Sequence, residues 1–208
     1  MNLKTLTVSK NQIRSFNSRN NFKHNTELDT LNLSNNQIKK IDAMIFNDLN
    51  LVSINLDNNS LEFIPPYTFS ALKKLETLKL NNNRILSIYS TSLKELYELK
   101  KLEMSGNKID FIHPEAFNDT KSLEKLYLDK NLISILFNGV FKFLENLSDL
   151  KLSHNDLRVL DFNLFKNVKQ LNSLDAEMNR FNPSMSSKLK EVFKINNLVV
   201  EPWKSIQH

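Results

Sequence analysis

The sequence predicts an α/β-type repeat solenoid: a curved stack of coils with one parallel sheet on its concave face and irregular or short-helical crossovers on its convex face. Three observations carry this expectation. A leucine-bearing segment recurs eight times, 24 residues apart except for one step of 25 and one of 23. The asparagine in its ninth place is present in every copy, at Asn11, Asn36, Asn59, Asn83, Asn107, Asn131, Asn155 and Asn179. Of 208 residues, 30 are asparagine and only two are glycine, Gly106 and Gly139, so asparagine must make turns that glycine makes elsewhere.

The copies start at Leu3, Leu28, Leu51, Leu75, Leu99, Leu123, Leu147 and Leu171; "LETLKLNNNRI" from Leu75 and "LEKLYLDKNLI" from Leu123 are typical. The fourth and sixth places of each copy are apolar with polar neighbours, the period of a strand with one buried face. So short a strand buries nothing alone. Stacked parallel on its copies, it forms a sheet with one face inward. Parallel strands need a crossover of about a dozen residues, and the remainder of each unit provides it. That remainder repeats too. Phe16, Ile41, Ile64, Ile88, Ile112, Leu136 and Leu160 lie 13 residues after each first leucine, and Phe46, Phe69, Leu93, Phe117, Phe141 and Phe165 lie 18 after it, with Phe22 one place late in the first unit. The crossovers are bulkier than the strands, so the stack bends with its sheet inside.

The ninth place is where the strand ends and the chain turns into the core. Turning strands backbone N–H and C=O groups in an apolar interior, at about 1–3 kcal/mol each. A carboxamide carries both donor and acceptor, so it satisfies its own turn and the next one. Eight of them are expected to form a ladder. The flanking Asn35, Asn58, Asn81 and Asn82 sit at the exposed strand end and tolerate turn geometry. A nucleotide-composition bias towards asparagine and lysine explains those flanking residues better than it explains the ladder.

The pattern LxxLxLxxNxL, followed by an apolar residue and then a phenylalanine, resembles the leucine-rich repeat family. The 24-residue unit is similar to the class found in Toll-like receptor ectodomains and secreted insect immune proteins. The resemblance implies eight repeats over residues 1–181 and a cap over 182–208. In the cap, Met185, Leu189, Val192 and Phe193 fall at helical spacing, Leu198 to Val200 read as a short strand, and Trp203 follows a proline. Family members carry paired cysteines in this cap; the chain has none. No cap precedes Leu3, Leu6 and Val8, so the chain is expected to be a fragment of a longer protein. The resemblance further implies an extracellular or cell-surface setting, innate immunity or surface signalling, and recognition rather than catalysis.

The residues themselves favour no chemistry. Absent cysteine excludes thiol, iron–sulfur and zinc-finger sites. His24, His113, His154 and His208 fall on different faces, and only His154 lies near the concave sheet. No catalytic triad, phosphate loop or metal-ligand spacing occurs, so neither an enzyme, a cofactor nor a metal is expected. No apolar run reaches membrane-spanning length, and no signal region opens the chain. The net charge of +5 is spread along the chain, which reads as solvated surface rather than a nucleic-acid footprint.

The concave sheet is the candidate site. Its third-place column runs Thr5, Thr30, Ser53, Thr77, Lys101, Lys125, Asp149, Ser173, and its fifth-place column Thr7, Asn32, Asn55, Lys79, Glu103, Tyr127, Lys151, Asp175. Charge and one aromatic gather in the later units. Hot spots favour such residues, so Tyr127, Lys125, Lys101, Lys79, Glu103, Asp149, Lys151 and His154 are the expected partner-binding residues. The expected partner is a protein or a microbial ligand. The alternative is a structural or adaptor module that assembles through its ends or convex side, as a homo- or heterodimer. Sequons at Asn32, Asn58, Asn118 and Asn146 are no more numerous than this composition gives by chance; a glycan on Asn32 would block the sheet.

Overall fold

In every coil the central residue of the first strand is apolar and points inward, and from the second coil on it is fully buried: Leu31, Ile54, Leu78, Leu102, Leu126, Leu150 and Leu174 are at most 1% exposed. The computed structural model that shows this describes residues 3–16, 25–43 and 45–193. Alternation turns the residues on either side of each buried one outward. The strands are β1 (Thr5–Thr7), β3 (Thr30–Asn32), β5 (Ser53–Asn55), β6 (Thr77–Lys79), β8 (Lys101–Glu103), β10 (Lys125–Tyr127), β11 (Asp149–Lys151) and β12 (Ser173–Asp175). They pair in that order into one eight-stranded sheet, all parallel. Like places are always opposite, as Lys125 is to Lys101 and to Asp149. The fold is the expected curved horseshoe, with this sheet on its concave face.

The crossovers are mostly turns, and four of those described carry a short strand ending at the thirteenth residue after the first leucine. There β2 (Ser15–Phe16) pairs with β4 (Lys40–Ile41), and β7 (Ser87–Ile88) with β9 (Phe111–Ile112). Ile41, Ile88 and Ile112 turn inward and are buried. One coil closes with a 3₁₀ turn, Phe162–Phe165, capped by the Asp161 carboxylate, which accepts from Asn163 N at 2.9 Å. Behind these turns the phenylalanines stack coil on coil. Ring centroids lie 6.1 Å apart for Phe16 and Phe46, 5.5 Å for Phe46 and Phe69, 6.3 Å for Phe117 and Phe141, and 5.9 Å for Phe141 and Phe165. Leu93 interrupts the spine between its two halves. Phe22 lies outside the described residues.

The turn is made at the eighth place. Lys10, Asn35, Asn58, Asn82, Gly106, Lys130, His154 and Met178 all have φ between +51° and +68°. That left-handed region costs an ordinary residue about 1–2 kcal/mol, and glycine and asparagine are the residues that visit it routinely. Asn35, Asn58 and Asn82 therefore have a conformational reason for their identity, which composition bias does not supply. At Gly106 a Cβ would also come within 2.4 Å of Asn82 Oδ1, so any side chain there would require the Asn82 carboxamide to move.

At the far end, Asn182 caps α1 (Pro183–Phe193): its Oδ1 accepts from Met185 N at 2.8 Å, and Pro183 takes the first helical position. Leu189 is buried and Met185 packs against the core. The side chains of Val192 and Phe193, the expected strand Leu198–Val200 and Trp203 lie outside the described residues. At the near end Leu3, Leu6, Val8 and Ile13 are only partly buried.

Candidate binding surface

The concave face is positioned by the asparagines beneath its end. Asn107 shows the geometry. Its Nδ2 donates to Met104 O of its own coil at 3.0 Å and to Leu80 O of the coil before at 2.9 Å, while its Oδ1 accepts from Ile85 N at 3.1 Å. The same bonds recur at Asn36, Asn59, Asn83, Asn131, Asn155 and Asn179. Every rung reaches backward. Asn11 differs from the expectation for this reason: it belongs to the first coil, is exposed, and donates only to Val8 O and Ser9 O of its own turn. Seven of the ninth-place asparagines, not eight, link coils among the described residues.

A second set of rungs lies beside the first, in the seventh place. Asp57 Oδ1 accepts from Asn81 N at 2.7 Å, and Asn81 Oδ1 accepts from Ser105 N at 2.9 Å. The Ser105 hydroxyl donates to Asp129 at 2.5 Å. Of this place the sequence singled out only Asn81, expected as an exposed turn residue; it is instead partly buried and bonded to the coils on both sides. The signal of the place was the run of short polar side chains Ser9, Ser34, Asp57, Asn81, Ser105, Asp129 and Ser153, each able to bond a backbone two residues or one coil away.

Above these rungs, strands β6 to β11 bring the charged side chains together. Tyr127 is the centre. Its hydroxyl donates to Asp149 Oδ2 at 2.7 Å. Lys151 Nζ stands 4.4 Å from the ring centroid and Lys101 Nζ 5.5 Å, so the ring is held between two cations. Burial and then the bond to Asp149 push the phenol well above the ordinary tyrosine value, which keeps it a neutral donor. The other Asp149 oxygen, Oδ1, is buried without a hydrogen-bond partner.

Glu103 ties down the other side. It is 8% exposed and accepts from Asn81 Nδ2 at 2.6 Å and Lys101 Nζ at 2.5 Å, with Lys79 Nζ at 3.7 Å. Burial pushes its carboxyl up, but the bonds from Lys101 and Asn81 and the charge of Lys79 outweigh this, leaving it below the usual value. Lys125 is exposed on β10, with no ion pair among the described residues. His154 is not on the sheet. It occupies the left-handed turn after β11, at the rim, because the eighth place always turns the chain away from the strand. His113 packs its ring against Phe111 in a crossover, and His24 and His208 lie outside the described residues.

Models of the leucine-rich repeat match residues 27–49, 49–109, 73–133, 98–157 and 121–181. The chain belongs to the leucine-rich repeat family. No curated protein matches it. Among solved structures, this leucine-rich repeat chain is similar to TLR13 in the crystal structure of the TLR13–ssRNA13 complex: 25% identity, TM-score 0.69, over 84% of this chain. It spans 29% of that chain's length. Among the described residues of the repeats, no metal-ligating cluster occurs and no helix is long and apolar enough to cross a membrane.

The lowered Glu103 carboxyl has a consequence for stability. The folded repeat binds that proton less readily than the unfolded chain, so Glu103 contributes stability above about pH 4.5, and this is lost as pH falls through the folded value. Asp57, raised chiefly by burial, runs the opposite way. Glu103→Gln is therefore expected to lower the urea midpoint at neutral pH, with the gap to wild type closing as pH falls below about 4.5. A gap that stays constant on acidification contradicts this assignment.

Proposed function

We propose that the protein is a non-enzymatic recognition module that binds a protein partner on its concave sheet. Family membership and the Toll-like receptor likeness support recognition in general, and on the same grounds the setting we propose is extracellular or cell-surface, in innate immunity or surface signalling. The single observation that carries the reading is Tyr127, held between Lys101 and Lys151 with its hydroxyl on Asp149. An aromatic ring already fixed in one rotamer loses little entropy on binding, which is what a hot spot requires. Lys125 and Lys151 have no carboxylate partner among the described residues, so the patch suits a partner that brings carboxylates.

The same geometry weighs against nucleic acid. Lys79 and Lys101 are already committed to Glu103, and Glu103 and Asp149 would repel a phosphate backbone. The test uses a displayed library of random peptides selected on the whole chain. Acidic sequences are expected to be enriched, and Tyr127→Ala and Lys125→Ala each to weaken their binding by roughly tenfold or more. Binding that neither substitution affects sinks the reading. Single-stranded RNA serves as the contrasting probe: tight binding with a steep salt dependence would favour the phosphate reading instead.

A further inference from the structure

The crossover flank carries an apolar ridge that the concave sheet does not use. Ile88 and Ile112 turn into the core, so Phe111 turns outward, with its ring 6.1 Å from that of Tyr89 and 6.1 Å from that of Phe137. The place Phe111 holds is filled by Phe63, Ile135 and Val159 in other coils. Phe63 is 46% exposed, Tyr89 51%, Ile135 53%, Phe137 38% and Val159 63%. A half-exposed large apolar side chain presents on the order of 100 Å². Phe111 itself is partly buried; the five exposed side chains together present roughly 500 Å², within the range of a large patch on a monomer and a substantial share of the roughly 800 Å² per partner of a standard interface before any rim is counted.

We propose that a second copy of this chain covers the ridge, antiparallel, with the two-fold axis crossing the stack at Phe111. An isologous contact brings each surface place against itself, with coils counted from opposite ends. Phe63 then meets Val159 of the other copy, Tyr89 meets Phe137, and Phe111 meets its own counterpart. Ile135 alone among the six ridge residues falls against a polar place, Ser87 of the other copy. Charge decides the direction. Glu62 precedes Phe63 and Arg158 precedes Val159; both are exposed and neither has an ion pair among the described residues. The antiparallel arrangement pairs Glu62 with Arg158 twice; Asp110, exposed beside Phe111, faces its own counterpart in either arrangement and so does not bear on the direction. A parallel one, with the axis along the stack, would set Glu62 against Glu62 and Arg158 against Arg158. The concave patches of both copies stay open, so this contact is independent of the partner-binding reading.

Sedimentation velocity of the whole chain, from about 1 to about 100 µM, tests it. Wild type is expected to dimerise within that range. Arg158→Glu and Glu62→Arg are each expected to weaken the dimer roughly tenfold or more, and the double exchange to restore it to within about threefold of wild type. Both sites are exposed, so the circular-dichroism melts of all variants should coincide. A wild-type chain that remains monomeric at the top concentration overturns the proposal. So does a dimer that Arg158→Glu leaves intact, or one that the double exchange fails to restore.

Discussion

Phe141→Ala is expected to lower the unfolding free energy by about 4 kcal/mol, among the largest effects of any single side chain here. Phe141 is fully buried, with Phe117 6.3 Å to one side and Phe165 5.9 Å to the other. Truncation opens a cavity shared by three coils. A solenoid is stabilised by contacts between neighbouring coils, so the loss falls on the two interfaces that join the later coils to the earlier ones. Phe143, two residues on, is the control. It is only partly buried, with Lys121 and Lys142 over its ring. Phe143→Ala should cost no more than about 1 kcal/mol. Urea unfolding of both variants measures the difference. Equal costs would show that the phenylalanine spine is not what couples the coils.

Asn107→Leu is expected to cost about 3 kcal/mol, although leucine is apolar and close in volume. On packing alone the change would be neutral or favourable. Polar satisfaction decides otherwise. Ile85 N loses its acceptor and is left buried and unpaired, at about 1–3 kcal/mol. Leu80 O and Met104 O fare better, because each also accepts from another rung, Asn83 and Asn131 respectively. They are weakened but not orphaned. Asn107→Asp separates these contributions. It keeps the acceptor for Ile85 but sets a buried negative charge against two carbonyl oxygens. Such a carboxyl is raised in the folded state, so this variant should recover stability as pH falls, opposite in sign to Glu103. Thermal melts at two pH values distinguish the variants.

How much of this could be read from sequence depends on where the geometry is decided. The sheet, its inward leucines and the columns on its outer face follow from period-two alternation within one coil and a 24-residue step between coils. Lys101, Tyr127 and Asp149 were legible as neighbours for that reason. What was not legible is how side chains lean from one coil to the next. Nothing in the column order says that Tyr127 reaches forward to Asp149 rather than back to Lys101, or that Asn81 bridges Asp57, Glu103 and Ser105. The rim position of His154 was hidden because its left-handed turn is shared by Lys10, Lys130 and Met178, residue types that carry no turn signal. The flank ridge was hidden because its place alternates among Ser87, Phe111, Ile135 and Val159, with no fixed residue type to betray it.

The central claim is that each coil's bend is held by the asparagine of the coil after it. Amide hydrogen exchange in Asn107→Leu tests this most directly. Ile85 N should exchange far faster than in wild type, while Ile133 N, whose acceptor Asn155 is untouched, keeps most of its protection. If the two amides accelerate by the same factor, or Ile85 does not accelerate at all, the backward-reaching rungs are not what holds the turns.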